Sequence, residues 1–122
     1  MTKIQSSKRY DLEDRTLAFA KNVIDFVHNL PKNLANIEVG KQLVRSAGSV
    51  GANYIEANES LGKKDFMMRI KISRKEAKES RYWLKLVNCS KDSEEEQKNL
   101  IQEADELMRI FGAIVEKTSS KS

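Results

Sequence analysis

The chain has 122 residues, with 22 Lys or Arg against 18 Asp or Glu, and a formal net charge of +4. This length suits a single domain, 1–122, and we expect no second one. No apolar run is long enough for a membrane span or a secretory signal, so we expect neither. The single cysteine, Cys89, excludes an internal disulfide, and the expected compartment is a reducing cytoplasm.

The composition and spacing predict an all-α fold, since there is one proline and apolar residues recur every three or four positions. The first predicted helix covers about 12–30, with Asp11 as its N-cap and Pro31 closing it. Two adjoining faces of this helix are apolar. One face holds Leu17, Ala20, Ile24 and Val27, and the other holds Phe19, Val23, Phe26 and Leu30.

Three further amphipathic helices follow, at about 36–58, 63–88 and 93–117. Gly62 lies at the junction of the second and third, and Ser93 opens the fourth with capping-box spacing. The linkers are short, so the helices bury their apolar stripes most simply as an antiparallel up-down-up-down four-helix bundle. No repeat or low-complexity linker competes with this interpretation.

The second predicted helix carries glycines and a line of polar side chains. Gly48 and Gly51 lie three residues apart on one face, which favours close packing against a neighbouring helix. A polar stripe of the same helix contains Arg45, Ser49, Asn53 and Glu56. We interpret this stripe as a hydrogen-bonded network that stabilises the bundle.

Two stretches, "RSAGSVGANYIEANES" and "KKDFMMRIKISRKEAKESRYWLKLV", resemble the bacterial four-helix-bundle family of intervening-sequence proteins, whose reading frames lie within inserts in large-subunit ribosomal RNA genes. The family pattern is an Arg followed by Ser-aliphatic-x-x-Asn-x-x-Glu. The matching residues are Arg45, Ser49, Val50, Asn53 and Glu56, with Ser73 and Glu79 as polar matches in the third helix. Ala57 stands where family members often have glycine, which suggests that the second helix continues further.

The family is similar to the accessory proteins of diversity-generating retroelements, and both resemble barrel-like homopentamers. No enzymatic activity is established for the family, so the resemblance implies an assembly rather than a reaction. The residues agree with this implication. Two Glu-x-x-Glu pairs occur, but His28 is the only histidine, so the sequence predicts no metal site, no cofactor and no catalytic triad.

Positive charge is concentrated in the third predicted helix, where 63–85 holds nine basic and three acidic residues. The candidate nucleic-acid-binding residues, called the basic stripe below, are Lys71, Arg74, Lys75, Lys78, Arg81 and Lys85. Such like-charge neighbours destabilise an isolated helix and need a counter-charge. The fourth helix, with eight acidic and four basic residues over 91–117, is one source. The phosphates of RNA or DNA are the other.

Another flank of the third helix carries Ile72, Trp83 and Leu86, beyond its core-facing residues. A second apolar flank with a tryptophan is typical of a subunit interface, although wrapping by a neighbouring helix also accounts for it. We therefore expect a non-enzymatic homo-oligomer, and the family resemblance implies that it is a pentamer. Two functions remain open: an RNA- or DNA-binding accessory protein, and an oligomeric scaffold that binds a protein partner.

Overall fold

The computed structural model describes residues 8–120, with side chains from residue 12 onward, and this part of the chain contains no strand. Its helices are α1 (Lys8–His28), α2 (Leu34–Asn58), α3 (Lys63–Leu86), a 3-10 turn (Lys91–Ser93) and α4 (Glu94–Ser119). Each long helix packs on the next in sequence, and α1 also contacts α4. The predicted all-α four-helix bundle is confirmed.

Hydrogen bonds show that α2 and α3 run antiparallel. As the residue number increases along α2, the residue number of the bonded partner on the α3 side decreases. The bonded pairs are Asn36 with Asn88, Ser46 with Ser80, and Asn53 with Arg69. The bundle therefore has two different ends. We call them the double-loop end, which holds the α1–α2 and α3–α4 connections, and the single-loop end, which holds the α2–α3 connection.

The helix ends differ from the predicted ones by at most four residues, for local reasons. α2 begins at Leu34 because the Asn33 side chain caps it, accepting a hydrogen bond from the Asn36 N–H at 2.8 Å. Asp11 lies inside α1, which begins at Lys8, so the predicted N-cap is wrong; the Asp11 side chain lies outside the described residues. Ser93 is the N-cap of α4, but its side chain makes no capping hydrogen bond.

The core takes one apolar face from each helix, and the aromatic face of α1 is the one that is buried. Phe19 and Phe26 are almost fully enclosed, whereas Leu17 and Ile24 on the other predicted face are exposed. α3 contributes small side chains to the core. Three of them are the fully buried serine or alanine residues Ser73, Ala77 and Ser80. α2 and α3 consequently pack closely.

Only one of the two glycines predicted to promote close packing does so. A Cβ at Gly51 would lie 2.8 Å from Thr16 Oγ1 on α1, so this glycine permits close contact. A Cβ at Gly48 would meet nothing within 4 Å, and Gly48 is exposed. Gly40, for which the sequence predicted no such role, also permits close contact with α1, since a Cβ there would lie 3.2 Å from Val27 Cγ1.

Candidate nucleic-acid interface

The basic stripe lies on the outer side of α3. Five of its six residues are exposed, and Arg81 is half-buried. The helix is continuous from Lys63 to Leu86, so the stripe spans ~21 Å at 1.5 Å per residue. α3 thus presents the predicted cations on a rigid surface.

Helix α4 neutralises part of this stripe. The Arg81 guanidinium lies 2.6 Å from the Asp105 carboxylate, which also pairs with Arg109 at 2.8 Å. Arg74 lies against α4 beside Gly112, where an added Cβ would be 3.7 Å from Arg74 Nη1. The internal counter-charge predicted from the sequence therefore reaches Arg81.

Arg74 forms no ion pair within the described residues, and the remaining cations are the stripe lysines Lys71, Lys75, Lys78 and Lys85. Within the described residues, none of these ammonium groups forms an ion pair. Two other carboxylates of α4, Glu103 and Glu106, are instead engaged by Arg15 of α1 at 2.7 and 2.6 Å. The acidic side chains of α4 are thus directed partly towards α1, and the four lysines are left to the solvent.

The predicted polar network forms in part. Asn53 donates to the backbone oxygen and the hydroxyl of Ser49 at 2.9 and 3.0 Å, and it accepts a bond from Arg69 at 2.9 Å. Arg45 pairs across the helix interface with Glu79 at 3.1 Å. Glu56 is exposed, and within the described residues its carboxylate has no partner, so its assignment to the network is wrong.

Glu76, a member of one Glu-x-x-Glu pair, lies next to this network, and the sequence did not predict that it is buried. Glu76 is only 7% exposed, and its Oε1 makes no hydrogen bond within the described part of the chain, although Arg45 Nη2 lies 3.5 Å away. The sequence signal was its position three residues before Glu79, on the side of α3 that faces α2. A buried acid beside one half-exposed arginine is a structural ion pair with incomplete hydrogen bonding.

Serine hydroxyls join α2 to α3 along their contact line. Ser46 and Ser80 share a hydrogen bond of 2.8 Å, and Ser73 donates to the Val50 carbonyl at 2.9 Å. All three serines are fully buried. Ser73, matched from the family pattern, therefore has a structural role between the two helices.

The predicted interface residues lie at the surface of α3. Ile72 and Trp83 are half-buried, and Leu86 is 49% exposed. Trp83 packs edge-on against Tyr82 at a centroid distance of 5.1 Å, and its buried Nε1 has no hydrogen-bond partner within the described residues. This flank is apolar and open on one side.

A second exposed apolar surface, which the sequence did not single out, follows the groove between α1 and α2. We call it the α1–α2 groove. Its exposed side chains are Leu17, Ile24, Leu34, Ile37, Val44 and Ile55, from 36% exposed for Val44 to 78% for Leu34. Towards the double-loop end the groove widens into an open cavity of about 670 Å³ beside Val27, Pro31 and Gly40.

The remaining titratable side chains bear on two further kinds of chemistry, metal binding and a reactive thiol. The described part of the chain brings together no group of three or more His, Cys, Asp or Glu side chains suited to a metal ion. Burial raises the pKa of the Cys89 thiol, and the nearby Glu94 carboxylate adds to this effect. The Cys89 thiol donates only to Gln97 Oε1, at 3.4 Å. A reactive thiolate needs the opposite environment.

These features define a class of protein: an all-α four-helix bundle with a lysine-rich outer helix. The chain belongs to the 23S rRNA-intervening sequence protein family, whose model matches residues 8–113. A crystal structure of a protein of unknown function from the S23 ribosomal protein family of Bacteroides thetaiotaomicron has the same fold, with a TM-score of 0.77 and 26% identity. The match covers 90% of this chain and 99% of that one.

No curated protein matches the chain significantly. None of the helices described between residues 8 and 120 combines the length and the apolar character that crossing a bilayer requires.

Proposed function

We propose that this protein is a non-enzymatic, homo-oligomeric bundle of the cytoplasm that binds RNA or DNA through phosphate contacts of the basic stripe. One observation carries the proposal: Lys71, Lys75, Lys78 and Lys85 are exposed on one rigid helix and have no ion-pair partner within the described residues. Like charges one turn apart destabilise a helix unless an external anion offsets them.

Phosphates suit these lysines better than the carboxylates of α4 do. Asp105 already serves Arg81 and Arg109, and Glu106 serves Arg15, so moving them to the lysines would break existing pairs. An ammonium group on a long flexible stem contacts phosphate as a point charge without reading the base sequence. The family name, which refers to an intervening sequence of 23S rRNA, supports RNA as the polyanion.

Self-association would multiply the effect of this stripe. The family resemblance implies a homopentamer, and each added copy brings four more unpaired lysines to the assembly. More phosphates neutralised per complex means that more counterions are released and that binding is tighter at low salt.

The test is a fluorescence anisotropy titration of labelled single-stranded RNA and duplex DNA at two salt concentrations. If four lysines of one copy each neutralise one phosphate, the log–log slope on duplex DNA is about −3.6, and affinity falls about 150-fold between 50 and 200 mM salt. Replacing two of them, in Lys75→Glu with Lys78→Glu, should flatten the slope to about −1.8, a fall of about 12-fold.

The matched control is Lys21→Glu with Lys117→Glu, which changes the net charge equally on exposed positions of α1 and α4. Circular dichroism and light scattering confirm that each variant keeps its fold and mass. Equal weakening by both double variants would contradict the stripe, and absence of binding at low salt would remove the proposal.

A protein-binding scaffold is the second candidate, and the exposed α1–α2 groove is the observation that favours it. Soluble proteins rarely leave a contiguous apolar surface of this kind uncovered. Binding of a protein partner that survives Lys75→Glu with Lys78→Glu, together with no affinity for nucleic acid, would support this alternative.

A further inference from the structure

An exposed tyrosine lies in line with the unpaired lysines of the basic stripe. Tyr82 follows Lys78 by four residues and precedes Lys85 by three, and the same alternation of three and four continues back through Lys75 and Lys71. Side chains with this spacing share one face of a helix. Tyr82 is 59% exposed, so its ring lies at the outer surface of α3, on the same face as the four lysines.

Trp83 supports the Tyr82 ring from one side. The two rings meet edge to face, with centroids 5.1 Å apart and planes at 72°. Trp83 is half-buried and packs against the core, so Tyr82 rests on a side chain that the bundle holds in place. An edge-to-face contact is favourable, and it leaves at least one face of the Tyr82 ring clear of Trp83. Because Tyr82 is largely exposed, this face is open to the solvent.

The described part of the chain makes no use of the polar end of Tyr82. The Tyr82 hydroxyl has no hydrogen-bond partner among the described residues. Tyr54, in contrast, is buried and packs against Phe111 at a centroid distance of 5.9 Å. A single exposed aromatic residue is ordinary on a protein surface. The position of Tyr82 within a line of four cations that have no ion pair in the described chain is what points to a ligand.

An aromatic ring between cations suits a single-stranded nucleic acid. Ammonium groups contact the phosphates of such a strand, and an unpaired base stacks on the ring. Every base has a π-face, so stacking of this kind accepts any sequence. Lys78 and Lys85 lie ~6 Å and ~4.5 Å along the helix axis from Tyr82, on opposite sides of it. A nucleotide whose base stacks on Tyr82 would therefore have a lysine on either side for its neighbouring phosphates.

A duplex cannot use the tyrosine in the same way. Each base of a double helix is stacked between its neighbours, and turning one out costs unpairing and unstacking energy. The stripe on α3 therefore meets a duplex at its phosphates alone, and phosphate contacts do not involve the ring. Tyr82 consequently adds affinity for a single strand without adding affinity for a duplex.

We propose that Tyr82 is a stacking platform for an unpaired base, which makes single-stranded RNA or DNA the ligand class of the basic stripe. This inference rests on the proposed function and deepens it, because it adds a contact to the base beside the contacts to phosphate. The lysines bind the backbone electrostatically, and the ring distinguishes a single strand from a duplex.

The experiment separates the ring of Tyr82 from its hydroxyl and from the lysines. Tyr82→Leu removes the π-face but keeps an apolar side chain, whereas Tyr82→Phe keeps the ring and removes the hydroxyl. Lys75→Glu with Lys78→Glu removes two phosphate contacts. All these positions are exposed, so the fold is preserved, and circular dichroism and light scattering confirm the fold and the mass of each variant.

Four labelled probes are titrated by fluorescence anisotropy at 50 and 200 mM salt, the range over which electrostatic binding weakens steeply. Two are single strands with bases, oligodeoxyadenylate and oligoriboadenylate. The third is an abasic strand with the same number of phosphates, and the fourth is a DNA duplex. Tighter binding of the ribose strand would identify RNA as the ligand, and tighter binding of the deoxyribose strand would identify DNA; either result supports stacking if the base is required.

Tyr82→Leu should weaken binding of both base-bearing single strands about 5- to 140-fold, the effect of losing one base–aromatic stack. Its affinity for the duplex and for the abasic strand should equal that of the wild type, because neither offers a free base. Its salt dependence should also be unchanged, since no cation is lost, whereas Lys75→Glu with Lys78→Glu should flatten that dependence on every probe. Tyr82→Phe should bind as the wild type does.

Several results would overturn the stacking platform while leaving the phosphate contacts of the stripe in place. They are an unchanged affinity of Tyr82→Leu for the single strands, an equal loss on the abasic strand, a loss in Tyr82→Phe as large as in Tyr82→Leu, and a wild type that binds the duplex more tightly than the single strands at 200 mM salt. No binding of any probe at 50 mM salt would remove the proposed function as well.

Discussion

Two glycines three residues apart on α2 should respond in opposite directions to the same substitution. A Cβ at Gly51 would lie 2.8 Å from Thr16 Oγ1 and 3.1 Å from Thr16 Cβ, so atoms must shift. The Thr16 side chain has little freedom to move away, because it is buried and β-branched and its hydroxyl donates to the Glu13 carbonyl at 3.0 Å. A Cβ at Gly48 would meet no atom.

The magnitudes follow from two opposing effects. Alanine is favoured over glycine in a helix by about 1 kcal/mol, and this gain applies at both positions. Overpacking of a tight contact costs about 1–3 kcal/mol, and this cost applies at Gly51 alone. Gly48→Ala should therefore stabilise the fold by about 1 kcal/mol, and Gly51→Ala should destabilise it by about 1 kcal/mol. The separation corresponds to roughly 8 °C in Tm for a chain of this size.

Urea unfolding followed by circular dichroism measures both variants, and two protein concentrations reveal any contribution from self-association. Thr16→Ala completes a double-mutant cycle: it removes the hydroxyl that the new methyl group meets, so it should recover part of the loss in Gly51→Ala. A Gly51→Ala variant as stable as Gly48→Ala would show that α1 moves away without cost, and that the close α1–α2 contact does not require glycine at position 51.

Three other changes are open to measurement. Hydrogen bonds from the Gln102 amide and then from the Arg15 guanidinium lower the pKa of Glu106. The stabilisation of the fold by this carboxylate is therefore present above the ordinary carboxyl pKa and is lost as the pH falls through the lowered one. Arg15→Met should make the free energy of unfolding, measured by urea titration, depend less on pH in this acidic range. Burial raises the pKa of Cys89, so alkylation at pH 7.5 should be slower in the folded protein than in urea, and an equal rate would contradict the burial. Leu107→Ala should cost about 2–5 kcal/mol in the same urea assay, because this side chain is fully buried; a loss below 1 kcal/mol would mean that the core collapses onto the space.

The choice of the buried face of α1 shows what a sequence pattern leaves open. Two adjoining faces of this helix are apolar, and periodicity alone does not rank them. Phe19 and Phe26 are buried because aromatic side chains remove more apolar surface from water than Leu17 and Ile24 do. The apolar face that stays outside the core forms one wall of the α1–α2 groove. The groove was not predicted because periodicity does not show which of the two faces of α1 is buried.

The candidate site was predictable where spacing along one helix decides it. Residues one turn apart on a helix share a face, so the stripe lysines and the Ser49–Asn53 bond follow from the sequence. Cross-helix partners depend on how each helix is rotated about its axis. That rotation buries Glu76, exposes Glu56, and brings Arg69 to Asn53. The spacing of residues along one helix gives no information about how that helix is rotated relative to its neighbours.

The serine contacts between α2 and α3 bear on how the molecule opens. Ser46, Ser73 and Ser80 hold these helices at short range by hydroxyl bonds, and α3 in turn packs extensively on α4. α1 contacts α2 and meets α4 over a smaller area, so α1 is the element whose detachment breaks the fewest contacts. Such a partial opening would remove one wall of the α1–α2 groove while leaving the lysines of α3 in place. Amide exchange would then be fastest in α1, and anything seated in the groove would slow it.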